Sequence, residues 1–156
     1  NAPEAIIAML ATTALGAVWT SCSPDFGVNG VVDRFGQVEP KLIFTVDGYH
    51  YAGKQINNLE KLPEIIARIP SVEGVVVYPF LNDSPDLKAI KGAQRWSDVL
   101  DEQPSEIDFV ELPFDHPLYI LYSSGTTGVP KCIVHGAGGT LLQHIKELAL
   151  HTDLGP

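Results

Sequence analysis

Residues 118–135 read Leu118-Tyr-Ile-Leu-Tyr-Ser-Ser-Gly-Thr-Thr-Gly-Val-Pro-Lys-Cys-Ile-Val-His135. An apolar run, Leu118 to Tyr122, feeds a loop of glycines and hydroxyl residues. The loop closes on Pro130-Lys131, and the apolar pair Ile133-Val134 follows. Small residues let backbone N–H groups turn inward and approach a ligand closely. Ser123, Ser124, Thr126 and Thr127 add hydroxyl donors, and Lys131 adds a mobile positive charge. No acidic residue interrupts the stretch, although the whole chain carries a formal net charge of −9. This is the chemistry of a loop that receives a polyphosphate.

The Walker loop, G-x-x-x-x-G-K-[ST], is the first comparison. Counted from Gly125, its second glycine falls on Pro130, and its magnesium-binding Ser/Thr falls on Cys132. Proline removes an N–H that the cradle needs, and a thiol is a poor magnesium ligand. The residues after Lys131 are β-branched and strand-like, where a Walker loop runs into a helix. The pattern Ser-Ser-Gly-Thr-Thr-Gly-x-Pro-Lys between two apolar strands therefore points to a phosphate loop of another kind. An ordinary Gly/Ser/Thr turn is the plainer alternative.

The 156 residues suffice for one domain with a real core. At 45% hydrophobic and 19% charged, the composition is globular. The acidic balance argues against a nucleic-acid or anionic-membrane surface. Cys22 and Cys132 lie far apart with no metal spacing, so two reduced thiols in a cytoplasmic protein are expected. The apolar run Ala5 to Trp19 is too short to span a bilayer, and it lacks the basic start of a signal peptide. The chain begins at Asn1 without a methionine, inside what reads as a helix start. It is expected to be a segment of a longer protein.

Asn1 and Glu4 have the spacing of a capping box. Ala5 to Leu15 is apolar on nearly every side and reads as a buried helix on a sheet, closed by Gly16. Ala17 to Thr20 reads as a short strand. Ser23-Pro24-Asp25 is expected to start a helix, with Ser23 as cap and Pro24 at the first position. Val28, Val31, Val32 and Phe35 give that helix one apolar face, and Pro40 ends it. Lys41 to Val46 is a strand, Asp47-Gly48 a hairpin turn, and Tyr49 to Tyr51 the return strand. Leu62, Ile65, Ile66 and Ile69 mark another helix, with Pro63 in its first turn.

Gly74 to Phe80 is a strand without polar alternation, as a buried parallel sheet requires. Residues 81–104 are weakly patterned, with one helical turn near Trp96 to Leu100, and Phe109 to Leu112 reads as a short edge strand. Gly136-Ala-Gly-Gly139 opens a last helix through Leu150, with Leu141, Leu142, Ile145 and Leu148 on its apolar face. Trp19 and Trp96 read as core or partly buried anchors. Asp25, Asp33 and Arg34 are explained by capping and a surface pair. His144 and His151 read as surface residues, since no carboxylate completes a metal triad, and no metal ligands are assigned. Alternating helices and buried strands predict an α/β fold, layered α/β/α around a mainly parallel sheet, with residues 1–156 as a single subdomain.

Ser123 to Lys131 resembles the signature of the adenylate-forming superfamily, which holds acyl-CoA synthetases, luciferases and peptide-synthetase adenylation domains. The flanks Cys22-Ser-Pro-Asp-Phe-Gly27, Asp33-Arg-Phe-Gly-Gln-Val-Glu-Pro-Lys41 and Ile133-Val-His-Gly-Ala-Gly-Gly139 are similar to the acetoacetyl-CoA synthetases. Most of the superfamily has Gly after the motif lysine. This chain has Cys132, a small residue of the kind that the acetoacetyl branch tolerates.

The resemblance implies part of a large N-terminal nucleotide-binding domain, and a two-step reaction with ATP, magnesium and coenzyme A. A carboxylate, here acetoacetate, attacks the α-phosphate of ATP and expels pyrophosphate. The coenzyme A thiol then displaces AMP. Donors of the loop would stabilise the charge that develops on the leaving phosphates. The resemblance makes Ser124, Thr126 and Thr127 phosphate contacts, with Ser123 beside them. Gly125 and Gly128 shape the backbone, Lys131 is the charge clamp and catalytic residue, and His135 lines the substrate pocket. A surface lysine and a strand-end histidine are the plainer readings of the last two.

The family's later motifs do not occur in these residues: an aromatic-Gly-Thr-Glu run, a ribose-binding aspartate, a hinge and a lysine on a mobile C-terminal domain. The segment alone is expected to be inactive, and the remainder of its own chain is its expected partner. Alternatives are a synthetase for acetate or propionate, a P-loop NTPase or kinase, and a non-catalytic α/β nucleotide-binding module.

Overall fold

Val75, Val76 and Val77 follow one another in strand with no polar interruption, and all three are buried. A strand covered on both faces has to read this way. In the computed structural model, which describes residues 2–100, 106–124 and 128–155, this strand lies at the centre of a three-stranded parallel sheet. In chain order the strands are β1 (Trp19–Thr20), β2 (Leu42–Val46), β3 (Gly48–Tyr51), β4 (Lys54–Asn57), β5 (Gly74–Tyr78), β6 (Ala93–Arg95), β7 (Pro117–Ser123) and β8 (Lys131–Gly136). The helices are α1 (Pro3–Ala14), α2 (Val28–Val38), α3 (Leu62–Arg68), α4 (Trp96–Val99) and α5 (Ala137–Lys146). The fold is mixed α/β, as expected, and the chain divides into two compact units.

The first unit comprises residues 1–5 and 22–105. Its sheet runs β2-β5-β6, with Ile43 beside Val75 and Val77 beside Arg95. One face carries Ile43, Val75 and Val77 into a core with Val31 of α2 and Leu62, Ile65 and Ile69 of α3. The helical spacing of Val28, Val31, Val32 and Phe35 thus marks the packed face. On the other face Trp96 sets its ring edge-on to Phe44 and Tyr78, with centroids 6.2 and 6.4 Å away. β6 had no signature in the sequence, because its Ala-Gln-Arg pairs along one side only.

Two sequence expectations are corrected in this unit. Asp47-Gly48 is not a hairpin turn. β2 pairs in parallel with β5, and the hairpin is β3–β4, turning at Ala52-Gly53, where both residues have positive φ (48° and 75°). Asp47 is buried, and its carboxylate accepts the N–H groups of Phe80, Leu81 and Asn82 at 2.7–2.9 Å. Ser23-Pro24-Asp25 does not start α2 either. The Ser23 hydroxyl accepts the Asp25 N–H at 3.2 Å, a local turn that competes with helix. The helix begins at Val28 behind extended Gly27. Lys61 and Arg34 hold this turn: Lys61 Nζ donates to the Pro24 carbonyl at 2.6 Å, and the Arg34 guanidinium lies 3.9 Å over the Phe26 ring.

The second unit comprises residues 6–21 and 106–156. α1 ends as expected at Gly16, whose φ of +74° completes a Schellman motif: Ala17 N–H reaches Thr12 O, and Gly16 N–H reaches Thr13 O. The capping role given to Asn1 lies outside the described residues. α1 is not the buried helix that its composition suggested. Ala8 is buried, while Ile6 and Leu10 are more than half exposed. Apolar residues lie on nearly every side of it, and the described residues bury the side that carries Ala8. Phe109 to Leu112 is not a strand; Val110 N–H makes one backbone bond, to Ala14 O, and no ladder. The sheet runs β1-β7-β8, with β1 parallel to β7 and β7 antiparallel to β8. α5 packs against β7 and β8, yet Leu141, Leu142 and Ile145 on its apolar face are exposed.

Candidate active site

The glycine-rich loop joins β7 to β8, and the ladder between these strands decides which side chains can act together. Its register pairs Ser123 with Lys131, Tyr122 with Cys132, Leu121 with Ile133, Ile120 with Val134 and Tyr119 with His135. Side chains alternate along a strand, and directly opposed residues share a face. One face therefore carries Ser123, Lys131, Leu121, Ile133, Tyr119 and His135. The other carries Tyr122, Cys132, Ile120 and Val134.

Ser123 is half-buried at the loop's root, while Ser124, Gly128 and Lys131 are exposed. Gly128 has a φ of +96°, a conformation that side chains other than glycine rarely adopt. Gly125, Thr126 and Thr127 lie outside the described residues. The ladder thus sets one hydroxyl and one ammonium across from each other at the loop's mouth. The solvent-exposed lysine stem is free to follow an anion there.

His135 is four residues from Lys131 on the same strand face, roughly 13 Å away at about 3.3 Å per residue. It stacks on Tyr119, with ring centroids 5.0 Å apart and planes tilted by 39°. The two form an aromatic platform separate from the loop's mouth. Tyr119 was not picked out from the sequence. Counting back from a Ser123–Lys131 pair would have found it, once the register was known.

The Gly-rich start of α5 is not a second anion site. Ala137 N–H donates to His116 O and Gly138 N–H to Phe114 O, both at 2.8 Å, so these helix-end donors are taken. His116 Nε2 lies 2.9 Å from Gly16 O.

In the first unit, a cleft of about 380 Å3 opens at the carboxyl ends of β2 and β5, lined by Asp47, Gln55, Asn57, Asn82 and Asp86 among others. Such crevices often bind ligands. Here the carboxylates have structural work: Asp47 holds residues 80–82, and Asp86 accepts the Lys88 N–H at 3.1 Å. Burial pushes the Cys22 thiol up to about 11, against the charges of Arg34 and Lys61, which does not suit a nucleophile. A hydrogen bond to Asp25 pushes the Tyr49 phenol up to about 12. His151 is paired with Glu147 at 2.7 Å, a surface contact, and His144 is exposed.

No helix of the described residues is long and apolar enough to cross a membrane. The model of the AMP-binding enzyme family matches residues 1–154. The chain is 48% identical to an acetoacetyl-CoA synthetase of Macaca fascicularis, over 99% of this chain and 24% of that protein. It is 51% identical to an acetoacetyl-coenzyme A synthetase of Rhizobium meliloti over the same shares. It is 48% identical to a malonamoyl-CoA synthetase of Penicillium aethiopicum, over 100% of this chain and 22% of that protein. Among solved structures, an acetoacetyl-CoA synthetase from Streptomyces lividans superposes with a TM-score of 0.91 at 47% identity, covering 100% of this chain and 23% of that one. The chain spans about a quarter of the length of the curated relatives it matches. With the family model matching almost end to end, the chain belongs to the AMP-binding enzymes.

Proposed function

We propose that this chain supplies the phosphate-gripping strand-loop-strand of an AMP-forming acid–thiol ligase that activates acetoacetate. The observation that carries this reading is the pairing of Ser123 with Lys131 at the mouth of the loop. The acetoacetyl-CoA synthetases among its relatives support the substrate. ATP, acetoacetate and coenzyme A are the small-molecule substrates. Lys131 neutralises the charge that builds on the departing pyrophosphate, and Ser123, Ser124, Thr126 and Thr127 donate to its oxygens. Gly125 and Gly128 let the backbone turn toward it. His135, backed by Tyr119, lines the acyl or adenylate region.

Among the described residues no three His, Cys, Asp or Glu side chains converge to hold a metal ion. Magnesium enters this reading as the companion of the nucleotide's phosphates, and no step is routed through it. Both units are read as parts of one larger nucleotide-binding domain, with the remainder of that chain as partner. Cys22 and Cys132, which form no disulfide in the structure, fit a cytoplasmic location. The net charge of −9 disfavours nucleic acid as a partner.

A second reading is favoured by the malonamoyl-CoA synthetase relative. Malonamate and acetoacetate share a carbonyl at C3 and differ by an amino group in place of a methyl. The chain matches both kinds of enzyme at 48% identity, which leaves the choice between the two acids to the test. The test is pyrophosphate release by the full-length protein with magnesium and ATP across acetoacetate, malonamate, acetate and propionate. Preference for acetoacetate supports the first reading, and preference for malonamate the second. Preference for acetate or propionate overturns both. The isolated 156 residues are expected to complete neither half-reaction.

A further inference from the structure

β1 is two residues long, and its parallel ladder with β7 pairs Trp19 with Tyr119 and Thr20 with Ile120. So short a ladder leaves much of the junction to side chains. Thr20 Oγ1 lies 2.9 Å from the Ile120 carbonyl oxygen and 2.9 Å from the Tyr122 hydroxyl. A threonine hydroxyl has one hydrogen and two lone pairs. It can therefore donate to the carbonyl while accepting the phenol's hydrogen, and both bonds stand at once. Tyr122 is the residue before Ser123. Its ring projects from the face of β7 opposite Ser123 and Lys131, so gripping the phenol from behind sets how the strand presents the loop's root. The contact lies outside the face that would meet the nucleotide.

We propose that Thr20 is a positioning residue for the phosphate loop, acting through the Tyr122 phenol. The proposal rests on the reading of residues 123–131 as a pyrophosphate loop. Neither residue touches the nucleotide. Their bond fixes the end of β7 from which Ser123 and Ser124 extend.

The test uses the full-length enzyme in steady-state pyrophosphate release, with four variants: Thr20→Val, Thr20→Ser, Tyr122→Phe and the Val/Phe double. Thr20→Val keeps the shape and removes the hydroxyl. Thr20→Val and Tyr122→Phe are each expected to raise KM for ATP about fivefold, the scale of one neutral hydrogen bond, with KM for the carboxylate unchanged. Thr20→Ser should restore the wild-type value. The double variant should be no worse than Thr20→Val, which already removes the bond that Tyr122→Phe removes. Wild-type KM for ATP in Thr20→Val and Tyr122→Phe, with only a lowered melting temperature, would make the bond purely structural and overturn the proposal. An equal rise in KM for both substrates would also overturn it. No pyrophosphate release by the wild type with any acid overturns the phosphate-loop reading and this proposal together, which separates that failure from a failure of the latch alone.

Discussion

The carboxylate of Asp47 accepts the backbone N–H of Asn82 at 2.8 Å, and so ties the end of β2 to the chain that leaves β5. Burial would raise the pKa of this carboxyl. The N–H groups of Leu81, Phe80 and Asn82, with the Asn82 side-chain amide, outweigh burial and hold it below the ordinary carboxylate value. A depressed folded pKa means that the contribution is complete above the unfolded value, about 3.9. It is lost as pH falls from there through the folded pKa. Acid titration of stability should show this loss, and Asp47→Asn should remove that part of the pH dependence. At neutral pH the variant leaves the amide donors facing an amide, at a cost of about 1–3 kcal/mol by denaturant unfolding.

Lys131→Ala in the full-length protein removes the ammonium opposite Ser123. Pyrophosphate release should fall roughly tenfold or more, equivalent to about 1.4 kcal/mol of transition-state stabilisation. Unchanged rates would return Lys131 to the role of a surface lysine.

Gly138 lies in α5 against Phe114, and an added Cβ would overlap the ring. Alanine in a helix ordinarily gains up to about 1 kcal/mol over glycine. Here overpacking costs about 1–3 kcal/mol, so the sign reverses. Gly138→Ala should melt below the wild type, and pairing it with Phe114→Leu should recover part of the loss.

Ala52 carries a φ of +48° in the β3–β4 turn. An L-residue with a β-carbon pays about 1–2 kcal/mol there, and asparagine tolerates it better. Ala52→Asn should stabilise by about 0.5–1 kcal/mol, seen as a higher denaturant midpoint with an unchanged slope. A lower midpoint would contradict the turn geometry.

What was legible in the sequence was what depends on local pattern. The valine run of β5, the spacing of α2 and α3, the glycine closing α1 and the strand-loop-strand around Ser123 all follow from periodicity or composition. What was not legible depends on partners far along the chain. Asp-Gly is a common turn dipeptide, yet Asp47 is drawn inward by three N–H groups more than thirty residues away. Ser23 had two local options, and its turn prevailed over the helix cap because Lys61 and Arg34 hold that turn. The exposed sides of α1 and α5 misled in another way, since apolar composition shows a need for cover without showing what provides it. The bond between Thr20 and Tyr122 spans 102 positions and leaves no trace in either neighbourhood.

The alternation along β8 places an ammonium and a thiol on opposite sides of one strand, in adjacent residues. A shift of that strand by a single position would present Cys132 where Lys131 now stands, and would turn His135 away from Tyr119. Insertions within the loop leave this arrangement intact, while an insertion inside the ladder inverts it. The register of β8, rather than the loop, thus decides which residues share a face with Lys131 and His135.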